Sequence, residues 1–247
     1  MSDIPRIRRV LLKISGEAFC PAGERGIIAS SLLPAARQIA RAARGDASHP
    51  SIGIGIVMGG GNILRGGQFV AQDGNQCVRI QTAHYMGMLA TMMNGLALRD
   101  ALEHCGAEVR LLTAVRADAI AEAYTPRRAQ HYLEKGHIVV LAGGTGGPYV
   151  TTDTAAAMRA IELECDLLLK ATKVDGVYSD DPERNPTATR FETISYDEML
   201  ERRLRIIDLE ATIKCREHHM KFRIFNCRPE NALLDALRGE PLGTLVE

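Results

Sequence analysis

The chain alternates short, strongly apolar segments with longer segments of helical periodicity, and this alternation restricts the possible folds more than any other feature. The apolar segments are rich in Val, Ile and Leu and are predicted as strands at 8–15, 52–58, 109–113, 137–142, 166–172 and 222–226. Helices are predicted near 30–45, 79–106, 126–135, 154–164, 199–204, 209–219 and 230–237. Strands that alternate with helices run parallel, and strands that are apolar throughout are buried on both faces. The pattern therefore predicts an α/β fold with a mainly parallel open sheet and helices on both sides.

The segment 52–65, IGIGIVMGGGNILR, indicates a buried strand, a glycine loop and the start of a helix. The three glycines at 59–61 lack Cβ atoms, so a ligand can approach their backbone N–H groups directly. A helix N-terminus would add partial positive charge at the same place, which suits the loop to an anion. Arg65, one turn beyond Asn62, would add a planar cation able to bridge two phosphates. The alternative is a tight turn without a ligand, and the loop has neither the Walker A nor the G-x-G-x-x-G spacing.

Length and charge limit the classes of partner. The chain has 247 residues, of which 46% are hydrophobic and 24% charged, and its formal net charge is zero. A core of ample size is expected, whereas a basic surface for DNA or RNA is not. The basic residues at the amino terminus precede only a short apolar run that Lys13 interrupts, so neither a signal peptide nor a membrane span is predicted.

The cysteines indicate reduced thiols rather than a disulfide or metal framework. Six cysteines are scattered through the sequence without a C-x-x-C pair, as expected of a cytoplasmic protein. The nearest approach to a metal cluster is Cys215 with His218 and His219 on one predicted helix. No second pair of ligands accompanies these three residues, so no protein metal site is predicted.

Four predicted strands end in glycine-rich or charged sequences that could carry chemistry. These sequences are KISGE at 13–17, GGGN at 59–62, GGTGG at 143–147 and KATKVDG at 170–176. In an open parallel sheet, ligands bind beyond the carboxyl ends of the strands. We therefore expect the four loops to form one site at one edge of the sheet.

The residue types in these loops favour phosphoryl transfer. Lys13 and Arg65, beside two glycine loops, suit two phosphate-bearing substrates placed end to end, because this reaction depends mainly on alignment and charge neutralisation. The motifs contain no Ser-His-Asp or Cys-His arrangement. Asp153 and Asp208 are interpreted as groups that orient lysine or ammonium donors, not as nucleophiles.

Five sequence blocks resemble the bacterial uridylate (UMP) kinases of the amino acid kinase superfamily. In order, the blocks are LLKISGEA, VMGGGNILRG, MGMLATMMNGLALRDAL, AGGTGGPYVTTDTAA and LLKATKVDGVYSDDP, and the resemblance covers essentially the whole chain. Carbamate, acetylglutamate and aspartate kinases would share the glycine loops without MGMLATMMN or LLKATKVDGVY. The resemblance implies a three-layer αβα sandwich in a single domain over 1–247, with an acceptor-binding part at roughly 1–165 and an ATP-binding part at roughly 166–247.

The resemblance also implies an activity and its regulation. The expected reaction is the ATP- and Mg²⁺-dependent conversion of UMP to UDP in pyrimidine nucleotide synthesis. A cytoplasmic homohexamer is expected, with GTP and UTP as effectors. The loop at 21–26 and Arg99 match positions that are linked to the GTP response.

Roles for individual residues follow from the same motif matches. The ATP phosphates would be held by Lys13, Ile14, Ser15, Gly16, Gly61 and Arg65, and the adenosine part by Thr172, Tyr178 and Asp181. UMP would be held by Gly60, Thr145, Gly146, Gly147, Pro148, Tyr149, Val150, Thr151 and Thr152. Lys13 and Arg65 would stabilise the transferred phosphoryl group, and Asp153 and Asp208 would align the cations and the acceptor. The family's Mg²⁺ is held chiefly by the nucleotide phosphates, so no protein ligand is named.

Two residues depart from the family pattern, and both concern the acceptor. His84 stands where the family usually has an aspartate that binds the acceptor ribose, and Gly147 stands where an asparagine is usual. The donor side is intact, so the kinase activity is predicted more firmly than the acceptor. Two alternatives stay open: a related kinase that makes an acyl phosphate, and a regulator that senses UMP or UTP.

Overall fold

The computed structural model describes residues 7–21, 23–64, 77–180, 185, 187–204 and 206–247. The strands are β1 (Arg9–Ile14), β2 (Gly53–Met58), β3 (Val109–Thr113), β4 (Glu122–Ala123), β5 (Ile138–Ala142), β6 (Leu167–Thr172), β7 (Thr193–Ile194), β8 (Phe222–Asn226) and β9 (Thr244–Val246). The helices are α1 (Ala29–Arg44), α2 (Ile80–His104), α3 (Pro126–Glu134), α4 (Thr152–Glu162), α5 (Tyr196–Glu201), α6 (Leu209–Glu217) and α7 (Ala232–Leu237). A short 3₁₀ helix, Gly16–Phe19, follows β1.

The strands form one sheet. Within the described residues its order is β4-β3-β5-β2-β1-β6-β8-β9-β7. Neighbouring strands there pair in parallel, except for the antiparallel pair β8 and β9. β1 lies between β2 and β6, and its Lys13 is the register partner of Val57 on one side and Lys170 on the other. The carboxyl ends of these central parallel strands therefore meet at one edge.

Helices cover both faces of the sheet. Side chains alternate along β1, so that Val10 and Leu12 face one hydrophobic cluster while Leu11 faces the other. The first cluster includes residues of α1, α2 and α7, and the second includes residues of α3, α4, α5 and α6. Burying one such valine or leucine side chain stabilises the fold by about 1.5 to 3 kcal/mol. The predicted three-layer sandwich is confirmed.

Most predicted elements are present, with shifted ends. Helix α4 begins two residues earlier than predicted because Thr151 caps it, accepting hydrogen bonds from the N–H groups of Asp153 and Thr154. Helix α5 begins three residues earlier because the Ser195 side chain accepts from the N–H of Glu198. The strands β4, β7 and β9 were not predicted, since two or three residues are too few to show a period.

No helix in the described ranges combines the length and apolar composition needed to cross a membrane.

Candidate active site

Two lysines from neighbouring strands share one carboxylate at the centre of the sheet edge. Lys13 on β1 and Lys170 on β6 are register partners, so their side chains leave the sheet on the same face, which α4 covers. The Lys13 Nζ lies 2.8 Å from Oδ1 of Asp153, in the first turn of α4. The Lys170 Nζ binds the other oxygen, Oδ2, and also donates to the Ile206 carbonyl at 2.6 Å. The ammonium groups of both lysines are thus held at the N-terminus of α4.

The charges of this group shift its ionisation. Burial alone would raise the pKa of Asp153, but the adjacent charges of Lys13 and Lys170 outweigh burial, and the pKa is lowered. Burial lowers the pKa of Lys170, and the Asp153 carboxylate offsets this shift only in part. The carboxylate of Asp208 acts on Lys170 in the same sense as Asp153, but more weakly. Two ammonium groups that share one adjacent carboxylate are suited to attract a phosphoryl group.

Asp208 holds two helix ends together. Its Oδ1 accepts hydrogen bonds from the backbone N–H of Ala211 at 2.7 Å and from the hydroxyl of Thr154 at 2.9 Å. Its Oδ2 accepts from the hydroxyl of Thr151. Asp208 therefore caps α6 and fixes the start of α4, which carries Asp153. The hydrogen bonds of Asp208 go to two threonines and to backbone, so any effect of Asp208 on the alignment of the lysines would act through α4.

Lys170 was not among the residues predicted to be catalytic or to bind a substrate. The signal for it was available, because a lysine inside an otherwise apolar predicted strand has to reach a partner or a ligand. The register between β1 and β6 places this lysine beside Lys13, which the sequence alone could not show.

The loops after β1 and β2 are in direct contact. Ser15 caps the 3₁₀ helix, accepting from the N–H of Glu17 at 3.4 Å. A Cβ on the next residue, Gly16, would lie 2.5 Å from Oδ1 of Asn62 and 2.9 Å from the backbone N of Gly61. Glycine is therefore required at position 16 by the close approach of the two loops. The predicted ATP-phosphate residues Lys13, Ile14, Ser15, Gly16 and Gly61 lie together at this place.

The described part of the β2 loop, residues 59–64, forms one turn, so the helix start predicted directly after the glycines is wrong for these residues. The N–H groups of Ile63 and Leu64 both donate to the Gly60 carbonyl at 3.0 Å. Gly60 packs against α2, where an added Cβ would lie 2.8 Å from the Gly87 carbonyl oxygen. Arg65, which was predicted to bridge phosphates, lies outside the described residues.

A cleft opens between this loop, α2 and the loop after β5. Of the residues predicted to hold UMP, those that line it are Gly60, His84, Thr145, Gly147, Val150 and Thr152. Gly146, Pro148, Tyr149 and Thr151 belong to the same segment but do not line it. The lining residues that were not predicted are Leu64, Ala83, Gly87, Met88, Thr91 and Gly144. Gly87, Met88 and Thr91 follow His84 at helical spacing, and this spacing could have identified them from the sequence.

His84 lies beside an aromatic ring at the mouth of the cleft. The ring centroids of His84 and Tyr149 are 5.0 Å apart, with an angle of 55° between the planes. Tyr149 is 61% exposed, and its backbone has a φ of 68°, in the left-handed region. A non-glycine residue is strained in that conformation and persists when its surroundings fix it. Of this pair, only His84 lines the cleft.

The residues predicted for adenosine lie beyond β6. Thr172 is the last residue of that strand, and its hydroxyl accepts from the N–H of Val174 at 3.2 Å. The Tyr178 hydroxyl donates to the Asp175 carboxylate at 2.9 Å, which fixes the loop that follows. Asp181 lies outside the described residues.

Among the residues that the structure describes, no group of three or more His, Cys, Asp or Glu side chains is placed to hold a metal ion.

The sequence model of the Amino acid kinase family matches residues 8–226. The chain belongs to this family. Proteins named uridylate kinase from Alcanivorax borkumensis and Methylococcus capsulatus are each 44% identical to it, over 98% of this chain and over 93% and 98% of the respective relatives. It groups with the uridylate kinases, as the five sequence blocks indicate.

Solved structures agree with this assignment. The UMP kinase from Bacillus anthracis is similar with a TM-score of 0.90 and 33% sequence identity, over 98% of this chain and 97% of that chain. The UMP kinase from Ureaplasma parvum is similar with a TM-score of 0.89 and 32% identity, over 98% of this chain and 100% of that chain.

Proposed function

We propose that the protein transfers the γ-phosphoryl group of ATP to UMP, forming ADP and UDP for pyrimidine nucleotide biosynthesis. The observation that carries this proposal is the shared carboxylate of Asp153, which holds Lys13 and Lys170 at the sheet edge between the glycine loop and the cleft. Full-length similarity to proteins named uridylate kinase supports UMP as the acceptor. The comparisons give no support to the acyl-phosphate kinase or to the nucleotide-sensing regulator.

In the proposed reaction, a phosphate oxygen of UMP attacks the γ-phosphorus and the bond from that phosphorus to the ADP oxygen breaks. The ammonium groups of Lys13 and Lys170 neutralise negative charge on the transferred phosphoryl group. Because Asp153 holds both lysines in advance, little reorganisation is needed when the charge moves. Mg²⁺, carried by the ATP phosphates, supplies further neutralisation when bound. Arg65 would act on the same group.

We place the two substrates on the two sides of these lysines. The ATP phosphates would lie where the loops after β1 and β2 meet at Gly16 and Gly61, and the loop beyond β6 would hold adenosine. The cleft at Gly60, Thr145 and Thr152 would hold the UMP phosphate, with the sugar toward His84. In this placement the cleft for UMP belongs to the acceptor-binding part at roughly 1–165 and the adenosine site to the ATP-binding part at roughly 166–247 of one domain, while the ATP phosphates also contact loops of the first part.

A homohexamer is proposed on the basis of helix α2. Tyr85, Leu89 and Met93 are 41%, 52% and 51% exposed and are spaced four residues apart, so they form an apolar row on one side of the helix. A row of this kind is suited to contact a second copy of the chain. Arg99, on the same helix, and the loop at 21–26 are the proposed route for GTP, with UTP as a second effector. Sedimentation velocity with Leu89→Glu tests the row, since this variant should give smaller assemblies.

The proposed location is the cytoplasm, where ATP and UMP are available. The sequence has six cysteines and no C-x-x-C pair, which supports a reducing compartment.

The decisive experiment is ATP consumption in the presence of UMP, CMP, AMP, acetylglutamate, aspartate or carbamate, each with Mg²⁺. UMP should produce ADP fastest and CMP should be a poor acceptor. Hydroxylamine traps acyl phosphates but not UDP, so it separates the two kinds of product. If UMP gives no more ADP than buffer while another acceptor does, UMP is the wrong substrate.

A further inference from the structure

Two buried asparagines bind each other next to the glycine loop. Asn62, at the end of the loop, is 2% exposed, and Asn94, in the middle of α2, is fully buried. The Asn62 Nδ2 donates to Oδ1 of Asn94 at 3.0 Å, and the Asn94 Nδ2 donates to Oδ1 of Asn62 at 2.8 Å. We call this reciprocal arrangement the amide pair.

The second N–H of each amide holds a backbone carbonyl. Asn94 donates to the carbonyl of Gly59 at 2.7 Å, and Asn62 donates to the carbonyl of Gly26 at 2.8 Å. The backbone N–H of Gly26 returns a bond to the Asn62 carbonyl at 2.8 Å. Each side-chain nitrogen therefore uses both of its N–H groups, and the amide pair joins α2, the β2 loop and the segment that precedes α1.

The bond from Asn94 to Gly59 has a directional consequence. In a trans peptide the carbonyl of one residue and the N–H of the next lie in one plane and point in opposite directions. Holding the Gly59 carbonyl toward Asn94, inside the protein, therefore turns the N–H of Gly60 away from the interior. Gly60 lines the cleft proposed for the acceptor phosphate.

Filling this buried space with two amide side chains is energetically less favourable than filling it with apolar ones. Apolar side chains of similar volume would pack there without a requirement for hydrogen bonds, and a partly satisfied polar network is worse than an apolar core. The neighbouring Met92 and Leu98 of the same helix are apolar core residues. The exception at position 94 is explained if a particular carbonyl has to be held.

We propose that Asn94 is a positioning residue for the acceptor: its bond to the Gly59 carbonyl fixes the Gly60 N–H toward the phosphate of UMP, while Asn62 fixes the orientation of Asn94. This inference rests on the proposed function, because it assigns the cleft to UMP. The role belongs to Asn94 and not equally to Asn62, whose second bond goes to Gly26 instead.

The symmetry of the amide pair provides matched variants. In Asn94→Asp and in Asn62→Asp, an oxygen replaces one nitrogen at nearly the same buried place, so each loses one reciprocal bond and one bond to a backbone carbonyl. Only Asn94→Asp releases the Gly59 carbonyl. The kcat and the KM values for UMP and ATP are measured in the parent and in both variants.

We expect the KM for UMP to be roughly tenfold higher in Asn94→Asp than in the parent, which is about the effect of one buried hydrogen bond. The KM for UMP should also be roughly fivefold higher in Asn94→Asp than in Asn62→Asp. The KM for ATP should change less than the KM for UMP. A general loss of stability would affect the two variants alike. Equal increases in both, or a UMP KM in Asn94→Asp within about twofold of the parent, would overturn the proposal.

A second measurement serves if the aspartate variants fail to fold, and it does not require UMP. Asn94→Ser and Asn62→Ser remove the same donors without a buried charge, and amide hydrogen exchange is followed in the unliganded proteins. The amides of Gly59 and Leu64, which donate to the carbonyls of Ile14 and Gly60, should exchange faster in Asn94→Ser than in Asn62→Ser, and equal rates would contradict the assignment. If the parent does not phosphorylate UMP, the proposed function fails, while the exchange rates still decide whether Asn94 holds the loop.

Discussion

Lys13 and Lys170 are register partners on adjacent parallel strands, and their ammonium groups bind the two oxygens of the same carboxylate. Two like charges so close would repel each other without Asp153, and burial makes that repulsion stronger. The arrangement is stable because the carboxylate lies between the cations. It holds both ammonium groups at the N-terminus of α4, which carries Asp153.

Replacing Lys170 with methionine should reduce kcat far more than it changes either KM. The side chain acts on charge that develops during transfer, and the loss of one preorganised donor typically lowers kcat about a hundredfold to a thousandfold. Lys13→Ala should behave in the same way. Initial rates with UMP and ATP measure the effect, and Lys135→Met, at an exposed lysine after α3, is the matched control. A kcat within a few-fold of the parent in Lys13→Ala would show that the site is elsewhere.

The lowered pKa of Lys170 should be visible in the pH dependence of activity. Burial is the main cause of the shift, so the folded protein loses this proton below the ordinary lysine value of about 10.4. If the charged form is required, kcat/KM falls on the alkaline side at a lower pH than an ordinary lysine would give. In Lys170→Arg the guanidinium stays protonated, so the residual activity should lack this decrease.

Stability should change in the opposite direction over the same pH range. Between the lowered folded pKa of Lys170 and its unfolded value, the unfolded state binds more protons, so this residue's contribution to the free energy of unfolding rises with pH. Asp153 has a lowered pKa, so its contribution is present above the unfolded aspartate value and is lost as the pH falls through the folded one. Urea titrations at several alkaline pH values would separate loss of activity from unfolding. If stability and activity declined together as the pH rises, the alkaline decrease in activity could not be assigned to Lys170.

The sequence predicted the parts of this site that depend on local pattern. Apolar strands, the glycine loops and Lys13 follow from residue type and period, and they were sufficient for the fold and for the edge of the sheet that carries the site. The pairing of Lys13 with Lys170 depends on register, which a strand buried on both faces does not reveal in its sequence. Asn94 was hidden for a related reason, since a polar residue in a long helix acquires a role only through the loop that packs on it.

Buried thiols should be slow to react in the folded protein. Burial raises the pKa of both Cys165 and Cys215 to about 12, so at pH 8 about one thiol in ten thousand is the reactive thiolate. Reaction with a chromogenic disulfide reagent should therefore modify exposed Cys77 first. Mass spectrometry of peptides after timed labelling identifies the sites, and all six cysteines should react in urea. Rapid modification of Cys165 or Cys215 without denaturant would show that the segment between α4 and β6, or α6, opens readily.

We expect His84 to affect how the acceptor sugar is recognised. It lines the cleft near the start of α2 and lies beside the Tyr149 ring, at the position where the resemblance leads us to expect an aspartate. An aspartate can accept hydrogen bonds from both ribose hydroxyls, whereas a neutral imidazole has one acceptor nitrogen. Losing one such bond costs about 0.5 to 1.5 kcal/mol, or roughly two- to tenfold in affinity.

We therefore expect His84→Ala to raise the KM for UMP within that range and to narrow the preference for UMP over dUMP. His84→Asp should retain or strengthen the preference, because the carboxylate restores two acceptors. His131→Ala, at an exposed histidine on α3, is the control. The measurement is kcat/KM for UMP and dUMP in each variant. Equal discrimination by the parent and His84→Ala would show that His84 does not contact the ribose, and another residue of the cleft would then have to distinguish the 2′-hydroxyl.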